Sequence, residues 1–243
     1  MNFMKEIIGH GKAHFTLIDP ENQSPGEARS RVKLCKSYGT DAIMIGGSTT
    51  KNRQVVDDTI KEIKKEVDLP VILFPNSAES VSRYADYIFF MSLMNSRDYR
   101  YLIGEQIKGF RLVKRWGIKP IPMGYIVVST SKNPTTVERV VELERIGCDD
   151  VEKAAAYAAF AQDIWGMSCV YLEAGSGAEK PVPDEMISAV RDSTDIPIIV
   201  GGGITDASTA KEKVNAGADV IVNGTLSEDD CKKIKDIIAG VKG

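Results

Sequence analysis

Two stretches decide the fold: Pro197-Ile198-Ile199-Val200-Gly201-Gly202-Gly203-Ile204-Thr205-Asp206 and Asp219-Val220-Ile221-Val222-Asn223-Gly224-Thr225. Each is a short β-branched run that breaks into glycine. Between them Thr205-Asp206 opens a helix over Ala207–Ala216, which Gly217 closes. Both runs are apolar along their length instead of alternating, as expected of parallel strands covered on both faces. The stretch therefore reads as strand, loop, helix, strand.

Working outward, the same alternation recurs along the chain. Strands are predicted at Ala13–Asp19, Asp41–Gly47, Pro70–Pro75, Tyr87–Met94, Lys119–Val128, Cys169–Ala174, Pro197–Gly202 and Asp219–Gly224. Ser24-Pro25-Gly26-Glu27 carries a cap, then proline at the first helical position, then glutamate at the third. Lys153–Trp165 carries an alanine-rich stripe that stops at Gly166. Eight such units in 243 residues predict an α/β protein with one domain, 1–243, folded as a single (β/α)8 TIM barrel. The third unit departs from the pattern. Ser77–Tyr84 is too short for a covering helix, so a turn or a stub is expected there.

Composition narrows the class. Hydrophobic residues at 43% and charged residues at 27% suit a soluble globular domain. The net charge of −3 is spread along the chain, which argues against a nucleic-acid partner. MNFMKEIIGHGK lacks the apolar core of a signal peptide, and Tyr87–Met94 is far too short to span a membrane. Cys35, Cys148, Cys169 and Cys231 have no CxxC spacing, so they read as reduced thiols in a cytoplasmic protein.

In such a barrel the chemistry gathers at the C-terminal strand ends. The unusual residues fall there: Asp19-Pro20, Gly46-Gly47-Ser48, Pro75-Asn76, Asn95-Ser96, Glu173 to Gly177, Gly201-Gly202-Gly203 and Asn223-Gly224-Thr225. Consecutive glycines let backbone N–H groups approach an anion, and a helix start adds favourable partial charge. Gly202, Gly203, Gly224 and Thr225, after strands seven and eight, form the recurrent phosphate site of this fold. The bland reading is tight turning alone, and two clusters in the correct units outweigh it. Glu173 shares strand parity with Tyr171 and Cys169, which puts all three toward the barrel interior or mouth.

Thr16-Leu17-Ile18-Asp19-Pro20, Ile45-Gly46-Gly47-Ser48-Thr49 and Phe89–Ser96 narrow the choice further. So do Pro122-Met123-Gly124-Tyr125, Tyr171-Leu172-Glu173-Ala174-Gly175-Ser176-Gly177 and Val200–Ile204. In this order the sequence resembles the second group of the geranylgeranylglyceryl phosphate synthase family, the archaeal phosphoglycerol geranylgeranyltransferases. The resemblance implies a Mg²⁺-dependent prenyltransferase that joins sn-glycerol 1-phosphate to geranylgeranyl diphosphate. Its products are 3-O-geranylgeranylglyceryl phosphate and diphosphate, at the first committed step of archaeal ether-lipid synthesis. It also implies a homo-oligomer, hexamer or dimer, with at most peripheral membrane contact to acquire the prenyl chain. Ser129–Asp150 departs from the family, which commonly has a glycine-rich stretch ending in arginine there; Arg139 and Arg145 are the candidate replacements.

By that resemblance Asp19 and Ser48 hold the metal. Glu173, with Asp19, carries the catalysis by accepting or orienting the glycerol hydroxyl proton. Tyr171, Leu172, Glu173, Ala174, Gly175, Ser176 and Gly177 join Gly202, Gly203, Gly224 and Thr225 around glycerol phosphate, and Tyr125 lines the diphosphate or early prenyl path. Each has a structural alternative. Asp19 could cap a loop, Ser48 the following helix, Glu173 could only bond neighbouring loops, and Tyr125 could be plain core. Phe89–Met94 and Tyr99–Tyr101 serve equally as prenyl groove or ordinary core. Rivals are a heptaprenylglyceryl phosphate synthase-like enzyme with another prenyl length, another phosphate-binding TIM barrel, and a catalytically silent barrel. The second usually ends a strand in lysine, and none does here.

Overall fold

A computed structural model describes residues 3–224 and 231–243, the side chains of Cys231 and Lys232 excepted. Eight parallel strands close on themselves in chain order: β1 Ala13–Ile18, β2 Ala42–Ile45, β3 Val71–Leu73, β4 Tyr87–Leu93, β5 Lys119–Val127, β6 Cys169–Glu173, β7 Ile198–Gly201 and β8 Val220–Asn223. The closing pair runs in register from Ala13 opposite Val220 to Thr16 opposite Asn223. Predicted strand ends such as Asp19, Gly47 and Pro75 leave the ladder and form the mouth.

Around the barrel lie α1 Phe3–Ile8, α2 Pro25–Tyr38, α3 Arg53–Lys64, α4 Glu105–Trp116, α5 Thr136–Val140, α6 Val151–Asp163, α7 Asp184–Ser193, α8 Ala207–Asn215 and α9 Cys231–Lys242. The cap signals have the expected physical basis. Ser24 and Glu27 form a reciprocal capping box with Pro25 at the first helical position, and Asp206 accepts from the Thr209 N–H at 2.9 Å. Both satisfy amide donors left open at a helix start. Of the two readings of Ser48, the helix cap fails here. Ser48 is exposed and does not cap α3; Asn52 does, accepting from the Gln54 N–H at 3.0 Å.

Strand parity sorts the core into an inner and an outer layer. Phe15, Met44, Ile72, Phe89, Met123, Cys169, Ile199 and Val220 fill the barrel interior. Alternate residues such as Ile43, Ile45 and Leu73, or Val170, Leu172 and Val200, face the helices. Helix α1 joins the interior cluster, with Met4 fully buried and the Phe3 ring 4.0 Å from Tyr87. The β3–β4 connection holds only a single 3₁₀ turn, Ala78–Ser80, so the third covering helix is absent as expected. The outer faces of β3 and β4 pack instead on α3, α4 and Val81, with Val71, Leu73 and Ile88 buried.

Candidate active site

The aromatic floor of the mouth is built by three strands. Phe74 follows β3, Tyr125 lies on β5 and Tyr171 on β6. Ring centroids are 5.4 Å apart for Tyr125 and Tyr171, 5.5 Å for Phe74 and Tyr125, and 5.7 Å for Phe74 and Tyr171. Such tilted and edge-on contacts fix all three rings. Burial pushes the Tyr125 and Tyr171 phenols well above their ordinary pKa, and the nearby Glu173 carboxylate adds to that, so both stay protonated.

Glu173 ends β6 above this floor and is 8% exposed. The Gly175 N–H donates to its Oε1 at 2.6 Å, and the Tyr171 hydroxyl bonds the carboxylate. Burial raises its pKa, and those two hydrogen bonds only partly offset the shift. A carboxylate held this way is a stronger base than one in water, provided it is ionised.

The loops of β5, β6 and β7 stack on one another around Glu173. Gly175 has φ +98°, and a Cβ there would lie 2.5 Å from Thr135 Oγ1. At Gly202, with φ +83°, a Cβ would meet both Glu173 Oε1 and the Gly175 nitrogen at 2.7 Å. Glycine here allows backbone to approach backbone and carboxylate. Tyr171, Leu172, Glu173, Ala174 and Gly175 are buried, while Ser176 and Gly177 are exposed. Gly202, Gly203 and Gly224 are half-buried at the rim, and Thr225 lies outside the described residues.

Asn223 and Asn95, which in sequence stand out only as strand-end residues, tie neighbouring loops together. Asn223 Nδ2 donates to the Ile204 carbonyl at 2.8 Å and so ties β8 to the β7 loop. Its Oδ1 faces His14 Nε2 at 3.3 Å, and His14 Nδ1 lies 3.0 Å from Thr40 Oγ1. Complete burial lowers the His14 pKa to about 3, so the imidazole is neutral. Asn95 does similar work between β4 and β5. Its side chain donates to the Val127 and Glu144 carbonyls at 3.0 and 2.9 Å and accepts from the Val127 N–H at 3.1 Å.

Asp19 stands across the mouth, half-buried against Gly47, where a Cβ would lie 2.2 Å from its Oδ2. Burial and the neighbouring Glu21 carboxylate raise its pKa, against hydrogen bonds from the Glu21 N–H and the Thr50 hydroxyl. A bound cation would reverse that sign. No group of three or more His, Cys, Asp or Glu among the described residues forms a metal cage. The donor set suits an ion such as Mg²⁺, which takes one or two protein oxygens and fills the rest of its shell from substrate and water.

A largely apolar cleft opens from Gly47 and Ser48 and runs between β4, the 3₁₀ turn and α4. Phe89, Phe90, Met91 and Leu93 of β4 line it, with Tyr101, Gly109 and Val113 around α4. Its empty space is about 860 Å³, open at the mouth. Tyr125 belongs both to this cleft and to the aromatic floor beneath Glu173. The divergent segment supplies the cleft with Val137, Val140 and Val141, and neither arginine lines it. Arg139 turns back to the Pro134 carbonyl at 2.9 Å, and Arg145 is exposed and acts on Glu138.

The fold and the site define a (β/α)8 barrel whose mouth sets glycine-rich loops around a buried carboxylate beside a largely apolar cleft. The model of the PcrB family matches residues 5–241. The geranylgeranylglyceryl phosphate synthase of Pyrococcus horikoshii is 47% identical over 226 residues, spanning 93% of this chain and 87% of that protein. The same enzyme of Methanothrix thermoacetophila is 48% identical over 235 residues, spanning 95% and 91%. The crystal structure of (S)-3-O-geranylgeranylglyceryl phosphate synthase from Thermoplasma acidophilum, in complex with substrate sn-glycerol-1-phosphate, superposes with a TM-score of 0.93 at 38% identity. That superposition covers 100% of this chain and 99% of the other. The chain belongs to the PcrB family, among its geranylgeranylglyceryl phosphate synthases. No helix among the described residues is long and apolar enough to cross a membrane.

Proposed function

We propose that this protein transfers a geranylgeranyl group to the hydroxyl of sn-glycerol 1-phosphate, forming the ether bond that commits a glycerol phosphate to archaeal lipid synthesis. One observation carries the reading. Tyr125 packs on Tyr171, which bonds Glu173, and Tyr125 also lines the apolar cleft, so a wall of rings joins Glu173 to the cleft. A polar acceptor and a long apolar donor bound on either side of that wall meet at Glu173.

Glycerol phosphate lies with its phosphate at Gly202, Gly203, Gly224 and Thr225 and its hydroxyl at Glu173. The hydroxyl oxygen attacks the allylic C1, the bond from C1 to the diphosphate oxygen breaks, and the Glu173 carboxylate accepts the hydroxyl proton. Asp19 and Ser48 would hold Mg²⁺, which when bound neutralises charge on the leaving diphosphate. The cleft from Phe89 to Val113 takes the prenyl chain and excludes water from C1. The protein acts in the cytoplasm as a homo-oligomer.

The test is turnover of labelled sn-glycerol 1-phosphate with C15, C20 and C35 prenyl diphosphates, with and without Mg²⁺. The C20 ether should dominate and should vanish on chelation. A C35 preference would favour the heptaprenyl variant. No product with any donor would leave a binding barrel.

A further inference from the structure

The divergent segment Ser129–Asp150 reaches the buried carboxylate of the mouth through Thr135. Thr135 is itself buried, and its side chain lies against Gly175. A Cβ on Gly175 would meet Thr135 Oγ1, Cβ and Cγ2 at 2.5, 2.6 and 2.7 Å. Gly202 abuts the same residue from the β7 loop, where a Cβ would lie 2.7 Å from both the nitrogen and the oxygen of Gly175. The N–H of Gly175 is the one that donates to Glu173 Oε1 at 2.6 Å. A glycine at φ +98° has many other conformations open to it, so its neighbours must keep that N–H aimed.

Thr135 is held in turn. Its N–H and its hydroxyl both donate to Glu138 Oε2 at 2.7 Å, and the Ser129 hydroxyl donates to Glu138 Oε1 at 2.6 Å. Burial of the Glu138 carboxyl works against its charge, but these bonds and nearby Arg145 hold its pKa below the usual carboxylate range. Glu138 is therefore ionised, and bonds to an ionised acceptor are the stronger kind. Two further bonds fasten the same pair of loops. The Thr130 hydroxyl donates to the Lys180 carbonyl at 2.6 Å, and the Glu179 N–H donates to Ser131 Oγ at 2.9 Å. Starting α5, which is only five residues long, would require none of these contacts with the β6 loop.

We propose that Thr135, set in place by Glu138, is a positioning residue: it presses on Gly175 and so fixes the N–H that orients the Glu173 carboxylate toward the glycerol hydroxyl. This rests on the reading of Glu173 as the base. Glu138 acts by choosing the Thr135 rotamer, and Thr135 acts by its bulk against Gly175.

The experiment compares full-length parent protein with Thr135→Ala, Thr135→Ser, Glu138→Ala and Glu138→Gln. It reads kcat, the KM of each substrate, the pH profile of kcat and thermal unfolding. Carboxyl ¹³C titration of glutamate-labelled protein, with Glu173→Gln to assign the signal, reads the Glu173 pKa without turnover. The Gly175 N–H favours the carboxylate form, so losing its aim should favour the acid. Thr135→Ala and Glu138→Ala should therefore raise the Glu173 pKa by about one pH unit, the loss of one hydrogen bond to a charged group. Their kcat should fall about tenfold, part of what a positioned base supplies. Tyr171 and Tyr125 are the other titratable groups facing Glu173, and both stay protonated, so the acid limb belongs to Glu173. Thr135→Ser and Glu138→Gln keep the reciprocal bonds and should recover most of the loss. Glu138→Ala, which leaves Thr135 itself in place, carries the test if Thr135→Ala does not fold. A lowered melting temperature with an unmoved Glu173 pKa would make Thr135 a helix cap alone and overturn the proposal. Full activity of Glu173→Gln would instead overturn the reading of Glu173 as the base, while the carboxyl titration would still decide for or against Thr135.

Discussion

On the side of β6, β7 and β8 the loops lie so close that glycine is needed where they touch, and nearly every buried polar group has a partner. On the side of β3 and β4 a helix is missing, the walls are apolar, and three buried polar atoms stay unpaired. The first half is closely packed through its glycines. The second lacks a covering helix and holds an apolar cleft between β4, the 3₁₀ turn and α4. Tyr125 and Phe74 are where the halves meet, and the proposed chemistry sits above them. The difference suggests that changes on one side should alter one substrate and spare the other.

The largest effect should come at the junction. Glu173→Gln keeps the shape and both neighbouring donors but removes the base, so kcat should fall by at least ~10²-fold. Activity of the parent should fall as pH drops through the raised Glu173 pKa, and this acid limb should disappear in the variant. Stability should move the other way. A carboxyl whose folded pKa is raised contributes stability below its unfolded pKa that is lost as pH rises through the folded one. Glu173→Gln should therefore melt no lower than the parent at neutral pH, with its advantage shrinking in acid. A variant as active as the parent would rule out Glu173 as the base, and one that melts lower would mark it as structural.

Next comes Asp19→Asn, which should reduce Mg²⁺-dependent turnover roughly tenfold or more while glycerol phosphate affinity, measured by titration, stays put. Equal losses in both would make Asp19 a structural residue of the mouth. On the apolar side, Val113→Phe should shorten the cleft and move the C20 to C15 preference about tenfold toward C15, the order expected for misfitting a few methylenes. Competition between the two donors reads this directly. If glycerol phosphate KM shifts too, the two halves are not independent.

The smallest effect tests the polar side. Asn223→Ala frees the Ile204 carbonyl and leaves His14 Nε2 unpaired, which should cost about 1–3 kcal/mol of stability. Glycerol phosphate affinity should fall because the β7 loop loses its tie to β8, and prenyl diphosphate KM should not move. Chemical denaturation and paired titrations check both parts.

Local chemistry determined a good deal of this protein by itself. The strand and helix alternation, the Ser24 and Glu27 capping box, the glycine-rich strand ends and the inward parity of Glu173 are all written in short windows. Backbone propensity and side-chain period act over such windows, so they were legible. The missing third helix was legible too, because Ser77–Tyr84 has no room for one. Ser48 shows where such reading fails: its neighbourhood is good capping chemistry, but the chain travels four more residues before Asn52 starts α3.

Tertiary structure alone decided where the cleft forms. In sequence Phe90 and Met91 from β4 read equally as prenyl groove or ordinary core, and nothing singled out Val113 from α4 or Val137 from the divergent segment. They line one cleft only because closure of the barrel brings β4, α4 and that segment together. The same holds for Asn223 and Asn95, whose partners lie 19 residues or more away, and for the shared wall of Tyr125 and Tyr171. Burial and hydrogen-bond satisfaction depend on which distant residues meet, and closure of the barrel sets those meetings.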